Sequence, residues 1–177
     1  MLGYVSLKDD IKVSKLIKPL YERTFPSDEQ VPYEILEKQA FKPFSDMLAI
    51  FNQDEFIGLL SLVYYEDIVF LWYLAIVEDK RNLGYGSQIL QDIQNKYLSK
   101  RIILNIEECL DDKDKLKRKH FYLRNGFKEC GYKTEEYGVR YEMLYSHDYV
   151  DYSEYAKMMI NYSGIEIFNM IYRKVEG

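Results

Sequence analysis

Arg81-Asn82-Leu83-Gly84-Tyr85-Gly86-Ser87 is the stretch of the sequence with the clearest chemical potential. It directly follows the apolar run Ile68-Val69-Phe70-Leu71-Trp72-Tyr73-Leu74-Ala75-Ile76-Val77, and an amphipathic segment begins at once behind it. That order reads as a buried strand, a tight turn and a helix. Glycine lets the backbone take positive φ and lets a ligand approach the main chain closely. Amides at the start of a helix have no partner within it and attract phosphate oxygens. The chemistry indicated is capture of a phosphate-bearing ligand by backbone N–H groups. Taken alone, the segment equally fits an ordinary strand-to-helix turn.

The two familiar phosphate loops do not fit. Ile89 stands where a dinucleotide fingerprint needs its third glycine, and Ser87 follows Gly86 without the lysine of a P-loop. Cys109, His120, Cys130 and His147 lack the close spacing of metal ligands, so no metal is expected. Neither cysteine sits in a recognisable nucleophile setting, and no covalent enzyme intermediate is expected. Two cysteines make no disulfide framework, and reduced thiols of a cytoplasmic protein are the default reading. The formal net charge of -5 argues against nucleic acid as the main partner. No basic start leads into an apolar core at the N-terminus, and no apolar stretch reaches the roughly 20 residues needed to span a bilayer. A cytoplasmic domain with no membrane association is expected.

The surrounding elements follow from periodicity. Val13, Leu16, Ile17, Leu20 and Tyr21 form a helical stripe, which Pro19 is expected to kink or split near Lys18. Pro26 and Pro32 bracket a polar loop, and Pro32 opens a second short helix through Gln39. Met47–Phe51 and Phe56–Tyr64 read as a hairpin, which Tyr65-Glu66-Asp67 turns into the long strand from Ile68; three such strands imply an antiparallel meander. Ile89, Leu90, Ile93 and Tyr97 mark a helix face, and Ile102–Ile106 another buried strand, so Ile68 to Ile106 should form a parallel crossover. The polar loop Asp111–Asp114 leads to a helix from about Lys115 to Arg124 that Asn125-Gly126 ends. Phe127–Tyr132 and Val139–Tyr145 make a last hairpin. Tyr155, Met158, Met159 and Tyr162 give one more helical stripe closed by Gly164, whereas Ile165–Tyr172 fits strand or helix equally. The fold class expected is α+β. It is a single domain over residues 1–177 with a mixed twisted sheet flanked by helices, a core over about 5–146 and a tyrosine-rich extension over 147–177.

A second motif, Phe121-Tyr122-Leu123-Arg124-Asn125-Gly126-Phe127, lies between a helix and a strand. Alone it is a helix end packed by aromatics and capped by glycine. Together, Arg-x-x-Gly-x-Gly after a long strand and then Phe-Tyr-x-x-x-Gly-Phe resemble the GCN5-related N-acetyltransferase (GNAT) superfamily. Leu74-Ala75-Ile76-Val77 looks like that family's strand four, Arg81 through Gly86 like its pyrophosphate loop, and the element order matches over roughly residues 5–146.

The resemblance implies acetyl-CoA as acyl donor and an amine acceptor of unidentified class. The backbone of Leu83, Gly84, Tyr85, Gly86 and Ser87 would hold the pyrophosphate. Groups around Leu74 and Ile76 would pair with the pantetheine arm, and Arg81 would add charge or remain a solvated turn residue. Tyr122 occupies the family's frequent general-acid position; the other reading is a core tyrosine packed under the cofactor. A phenol with a pKa near ~10 is still protonated when a thiolate with a pKa near ~8.5 departs. Glu107, ahead of Glu108, is the better candidate base at the end of the strand; it fits a solvated strand-end carboxylate equally well, and a water chain could replace any single base. Glu29 lies in the loop where the family shapes its acceptor pocket, though a plain surface carboxylate is the leading reading there, and Phe70, Trp72 and Tyr73 fit either a pocket wall or a core strand. Lys115 departs from the family by standing where many relatives carry asparagine. The run Lys113, Lys115, Lys117, Arg118, Lys119 fits a solvated helix face or a nucleotide contact. The function implied is acetyl transfer to a primary amine by direct attack; the alternatives are a non-catalytic acyl-CoA binder or a plain interaction domain. The tyrosine- and methionine-rich tail could pack on its own domain or in an oligomer.

Overall fold

The computed structural model describes residues 1–109 and 112–175. Eight strands hydrogen-bond in the order β1-β2-β3-β4-β5-β7-β6-β8 in a mixed α+β sheet with one parallel pair and flanking helices. By internal contacts the chain forms two compact units, Met1–Tyr64 with Leu71–Asp92, and Tyr65–Phe70 with Ile93–Gly177. No helix among the described residues is long and apolar enough to cross a membrane.

In the first unit, β1 (Leu2–Ser6), β2 (Ser45–Asn52) and β3 (Glu55–Tyr65) are antiparallel neighbours. The hairpin turns at Asn52–Glu55, where Gln53 takes a positive φ. α1 (Ser14–Thr24) and α2 (Tyr33–Ala40) pack on β2 and bury Ile17, Leu20, Tyr21, Tyr33, Leu36 and Ala40. Pro19 lies inside α1, which is not split. An interior proline costs a helix roughly 3 kcal/mol, and the buried Ile17–Leu20–Tyr21 face outweighs it. The second half of β4 (Ile68–Ile76) and α3 (Tyr85–Lys96) complete this unit. β3 approaches β4 so closely that Gly58 is sterically required: a Cβ there would lie 2.4 Å from the Ala75 carbonyl oxygen.

In the second unit, β5 (Arg101–Glu107), β7 (Val139–Ser146), β6 (Lys128–Glu136) and β8 (Tyr172–Val175) form a continuous antiparallel run. β6 bulges between Glu129 and Lys133, around Gly131 at φ 78°. α4 (Lys113–Arg124) packs on β5. Of the polar loop expected before it, Asp111 lies outside the described residues, and Asp112 is the N-cap, accepting from the amides of Asp114 and Lys115. α5 (Tyr152–Ser163) opens with a full capping box between Asp151 and Glu154 and buries Tyr155, Met158, Met159 and Tyr162. Arg101 clamps the base of the unit, with Nε and Nη2 on the two Asp67 oxygens at 2.7 and 2.8 Å and Nη1 on Glu154 at 3.0 Å. The undecided stretch after Gly164 divides into a helix, α6 (Ile165–Ile171), and the strand β8.

Candidate active site

In the first unit, the strand-turn-helix around the glycines is built as its sequence suggests. Leu74 and Ile76 are half-buried on a strand whose Tyr73 and Ala75 are buried. After Ile76 a 3₁₀ turn at Glu78–Lys80 carries the chain into Arg81, Asn82, Leu83 and Gly84, all exposed. Asn82 and Gly84 both take left-handed backbone, at φ 61° and 86°. Asparagine tolerates that region and glycine enters it without steric cost. α3 then starts at Tyr85, and its first bond back to the loop runs from the Gln88 amide to the Gly84 carbonyl at 3.1 Å. The amides of Tyr85, Gly86 and Ser87 therefore belong to the first turn, where helix geometry supplies no acceptor.

The α3 first turn carries no acidic residue, whereas α4 and α5 carry Asp114 and Glu154 in theirs and are capped by Asp112 and Asp151. An anion at α3 thus meets the positive end of the helix dipole without a competing carboxylate. The turn is braced from two sides: the Asn52 side-chain amide donates to the Tyr85 hydroxyl at 2.9 Å, and Lys80 pairs with Glu55 at 2.7 Å. The Arg81 Nε is folded back onto the Ile76 carbonyl at 3.1 Å. The residue is otherwise exposed.

In the second unit, Tyr122 is fixed by the way α4 stops. The Gly126 amide donates to the Leu123 carbonyl and the Phe127 amide to the Tyr122 carbonyl, at 3.1 and 3.2 Å, with Gly126 at φ 88°. These are the two bonds of a Schellman motif, and the aromatic contact that accompanies it is Tyr122 on Phe127, edge-to-face at 5.9 Å. The spacing from tyrosine to glycine is therefore a helix-termination geometry that also orients the phenol. Tyr122 is 9% exposed, and its hydroxyl makes no hydrogen bond among the described residues. Burial pushes its pKa up to about 12, opposed more weakly by the positive charge of Arg118.

Glu107 ends β5 and is engaged by two cations of α4: Lys115 Nζ at 2.6 Å on one oxygen and Arg118 Nη1 at 3.4 Å on the other. Lys115, Arg118 and Tyr122 fall at i, i+3 and i+7 on one helix face. Arg118 is thus the group that both Glu107 and Tyr122 feel, and the second unit brings these two expected residues into one neighbourhood. Glu108 is held by Lys133 at 2.5 Å, and Lys119 pairs with Glu129 and Glu142. Of the basic run on α4, Lys115, Lys117, Arg118 and Lys119 all sit in ion pairs within the protein. The network around Glu107 has no local signal in the sequence, because the pairing depends on how α4 lies on β5.

Residues 43–129 match the family model described as an acetyltransferase (GNAT) domain. That segment carries the acetyltransferase (GNAT) domain. Among solved structures, the chain is similar to a protein from Bacteroides thetaiotaomicron assigned to the GNAT acetyltransferases, at 19% identity and TM-score 0.77 over 94% of this chain and 98% of that one. It is also similar to the spermidine N-acetyltransferase SpeG of Vibrio cholerae solved with CoA and spermine, at 16% identity and TM-score 0.62 over 81% and 94% of the two chains. A third similar structure is a GNAT-family protein from Desulfovibrio desulfuricans, at 13% identity and TM-score 0.65 over 82% and 98%. No curated protein matches the sequence.

Proposed function

We propose that this protein is an N-acetyltransferase that moves the acetyl group of acetyl-CoA to a primary amine by direct attack. The observation that carries the reading is the open first turn of α3, with left-handed backbone at Asn82 and Gly84 before it and no acid within it. The amides of Leu83, Gly84, Tyr85, Gly86 and Ser87 hold the pyrophosphate, and the exposed Arg81 adds charge to the turn. Leu74 and Ile76 lend backbone groups to the pantetheine arm.

The amine nitrogen attacks the thioester carbonyl, the carbon–sulfur bond breaks, and the sulfur leaves with the bonding pair. Tyr122 gives its proton to that sulfur. Its raised pKa favours the protonated phenol at neutral pH. Glu107 receives the proton that the amine sheds, directly or through water. The acceptor belongs to the class of cationic amines, a reading favoured by the net charge of -5 and by the polyamine bound to the similar Vibrio cholerae enzyme.

A second reading, a non-catalytic acyl-CoA binder, is favoured by one observation: both Glu107 oxygens are already paired. Thiol release from acetyl-CoA, measured with spermine, an aminoglycoside, a lysine-containing peptide and a small monoamine, separates the two. Acceptor-dependent release is expected; cofactor binding without release from any amine supports the binder.

A further inference from the structure

Between α1 and α2, the loop over residues 25–32 is held by side-chain donors to its carbonyls as well as by the buried Val31 and the packed Phe25 ring. Pro26, Ser27 and Asp28 are exposed. Tyr21, from α1, donates to the Val31 carbonyl at 2.9 Å, and Gln30 donates to the carbonyls of Phe25 and Glu22 at 2.6 and 3.0 Å. A further tie comes from the sheet. Tyr73 of β4 donates its hydroxyl to the Glu29 carbonyl at 3.0 Å. Its ring is packed edge-on against Phe25 and Tyr21 at 4.8 and 5.0 Å and stacked on Trp72 at 5.3 Å. Tyr73 is 5% exposed, so the ring is fixed by its packing and the hydroxyl has a defined direction.

Tyr73 immediately precedes Leu74, where the proposed function places the acyl-bearing arm of the donor. The loop is therefore bolted to β4 one residue from the reacting end. The donor-holding turn is braced by other groups, Asn52 on Tyr85 and Glu55 on Lys80. We infer that Tyr73 is a positioning residue for the acceptor amine: its hydroxyl, through the Glu29 carbonyl, holds the 25–32 loop in the acceptor-binding arrangement. This rests on the acetyltransferase reading. A loop released from that bond must be re-ordered by each incoming amine, and the ordering cost appears as weaker acceptor binding.

The test is Tyr73→Phe, which keeps the ring and deletes the hydroxyl. Steady-state rates are measured with the fastest amine of the panel above, together with hydrogen exchange of the loop amides. One lost hydrogen bond corresponds to roughly a three- to tenfold rise in KM for the amine. The KM for acetyl-CoA should stay unchanged, kcat should stay within about twofold, and amides 27–31 should exchange faster. An unchanged amine KM overturns the inference while leaving the acetyltransferase reading standing. Equal rises in both KM values also overturn it, because they report general loosening of β4. Absence of turnover with every amine by the unmutated protein removes the acetyltransferase reading, and this inference with it.

Discussion

Replacing Tyr122 by phenylalanine separates structure from chemistry at one atom. The ring is held by Phe121 and Phe127, edge-on at 5.1 and 5.9 Å, and phenylalanine keeps both contacts. The hydroxyl bonds no described residue, so its deletion orphans no partner, and the stability change should stay below about 1 kcal/mol. Against that, loss of a proton donor aimed at a developing thiolate costs about 10²–10³ in kcat, or about 2.7–4 kcal/mol of transition-state stabilisation. The affinity for acetyl-CoA should hardly move, because the hydroxyl acts as charge develops on sulfur. The pH dependence gives an independent reading. A raised pKa favours the protonated acid, which is lost only as the pH climbs through about 12. At pH 10 such a phenol is about 1% ionised, whereas one at its ordinary value of ~10 would be half ionised. The kcat plateau of the unmutated protein should therefore run through pH 10 without a downward limb from this group. Stopped-time thiol-release assays over pH 6–10.5 on both proteins, with melting curves beside them, supply the numbers. A kcat for Tyr122→Phe within about threefold of the original, with both proteins folded, refutes the assignment.

Three further perturbations bear on the scaffold and the base. Gly58→Ala forces a methyl group to within 2.4 Å of the Ala75 carbonyl oxygen, so a loss of roughly 1–3 kcal/mol should be visible by denaturant unfolding, accompanied by weaker acetyl-CoA binding because Ala75 lies between Leu74 and Ile76. Glu107→Gln should lower kcat roughly tenfold to a hundredfold without altering acetyl-CoA affinity, and an unchanged kcat would hand the amine proton to water. Arg101→Met strips the partner from Asp67 and Glu154 and should cost roughly 1–3 kcal/mol at neutral pH. Arg101 holds both carboxyls below their ordinary pKa, so the stability they contribute is present above the ordinary carboxylate range and is lost as the pH falls through it. The gap between Arg101→Met and the original protein should accordingly narrow from pH 7 toward pH 3 in parallel melts.

The parts of the fold legible in the sequence are those fixed by local chemistry. The apolar run of β4, the glycine turn and the amphipathic α3 lie where periodicity puts them, and Asn125-Gly126 ends α4 through backbone bonds that glycine makes inexpensive. Elements made by pairing were harder to read. β1 has only its ends buried, and β8 is four residues long; each is a strand because a neighbour, β2 or β6, supplies the ladder. Pro19 predicts a kink or a split, and the helix runs through it unsplit because its buried face packs on β2. At the site, Tyr122 is legible because its distance from Gly126 is a helix-stop geometry. The pairing of Glu107 with Lys115 and Arg118 is not, because it depends on how α4 lies on β5.

The central claim is that the turn from Arg81 to Ser87 holds the pyrophosphate of acetyl-CoA. Thermal unfolding of the purified protein against increasing acetyl-CoA tests it most directly. A saturable upward shift is expected, about 2.7 kcal/mol of stabilisation at 100 times Kd, and Gly84→Val, which places a branched side chain at φ 86°, should abolish most of it. An unmoved midpoint at millimolar acetyl-CoA would contradict the claim.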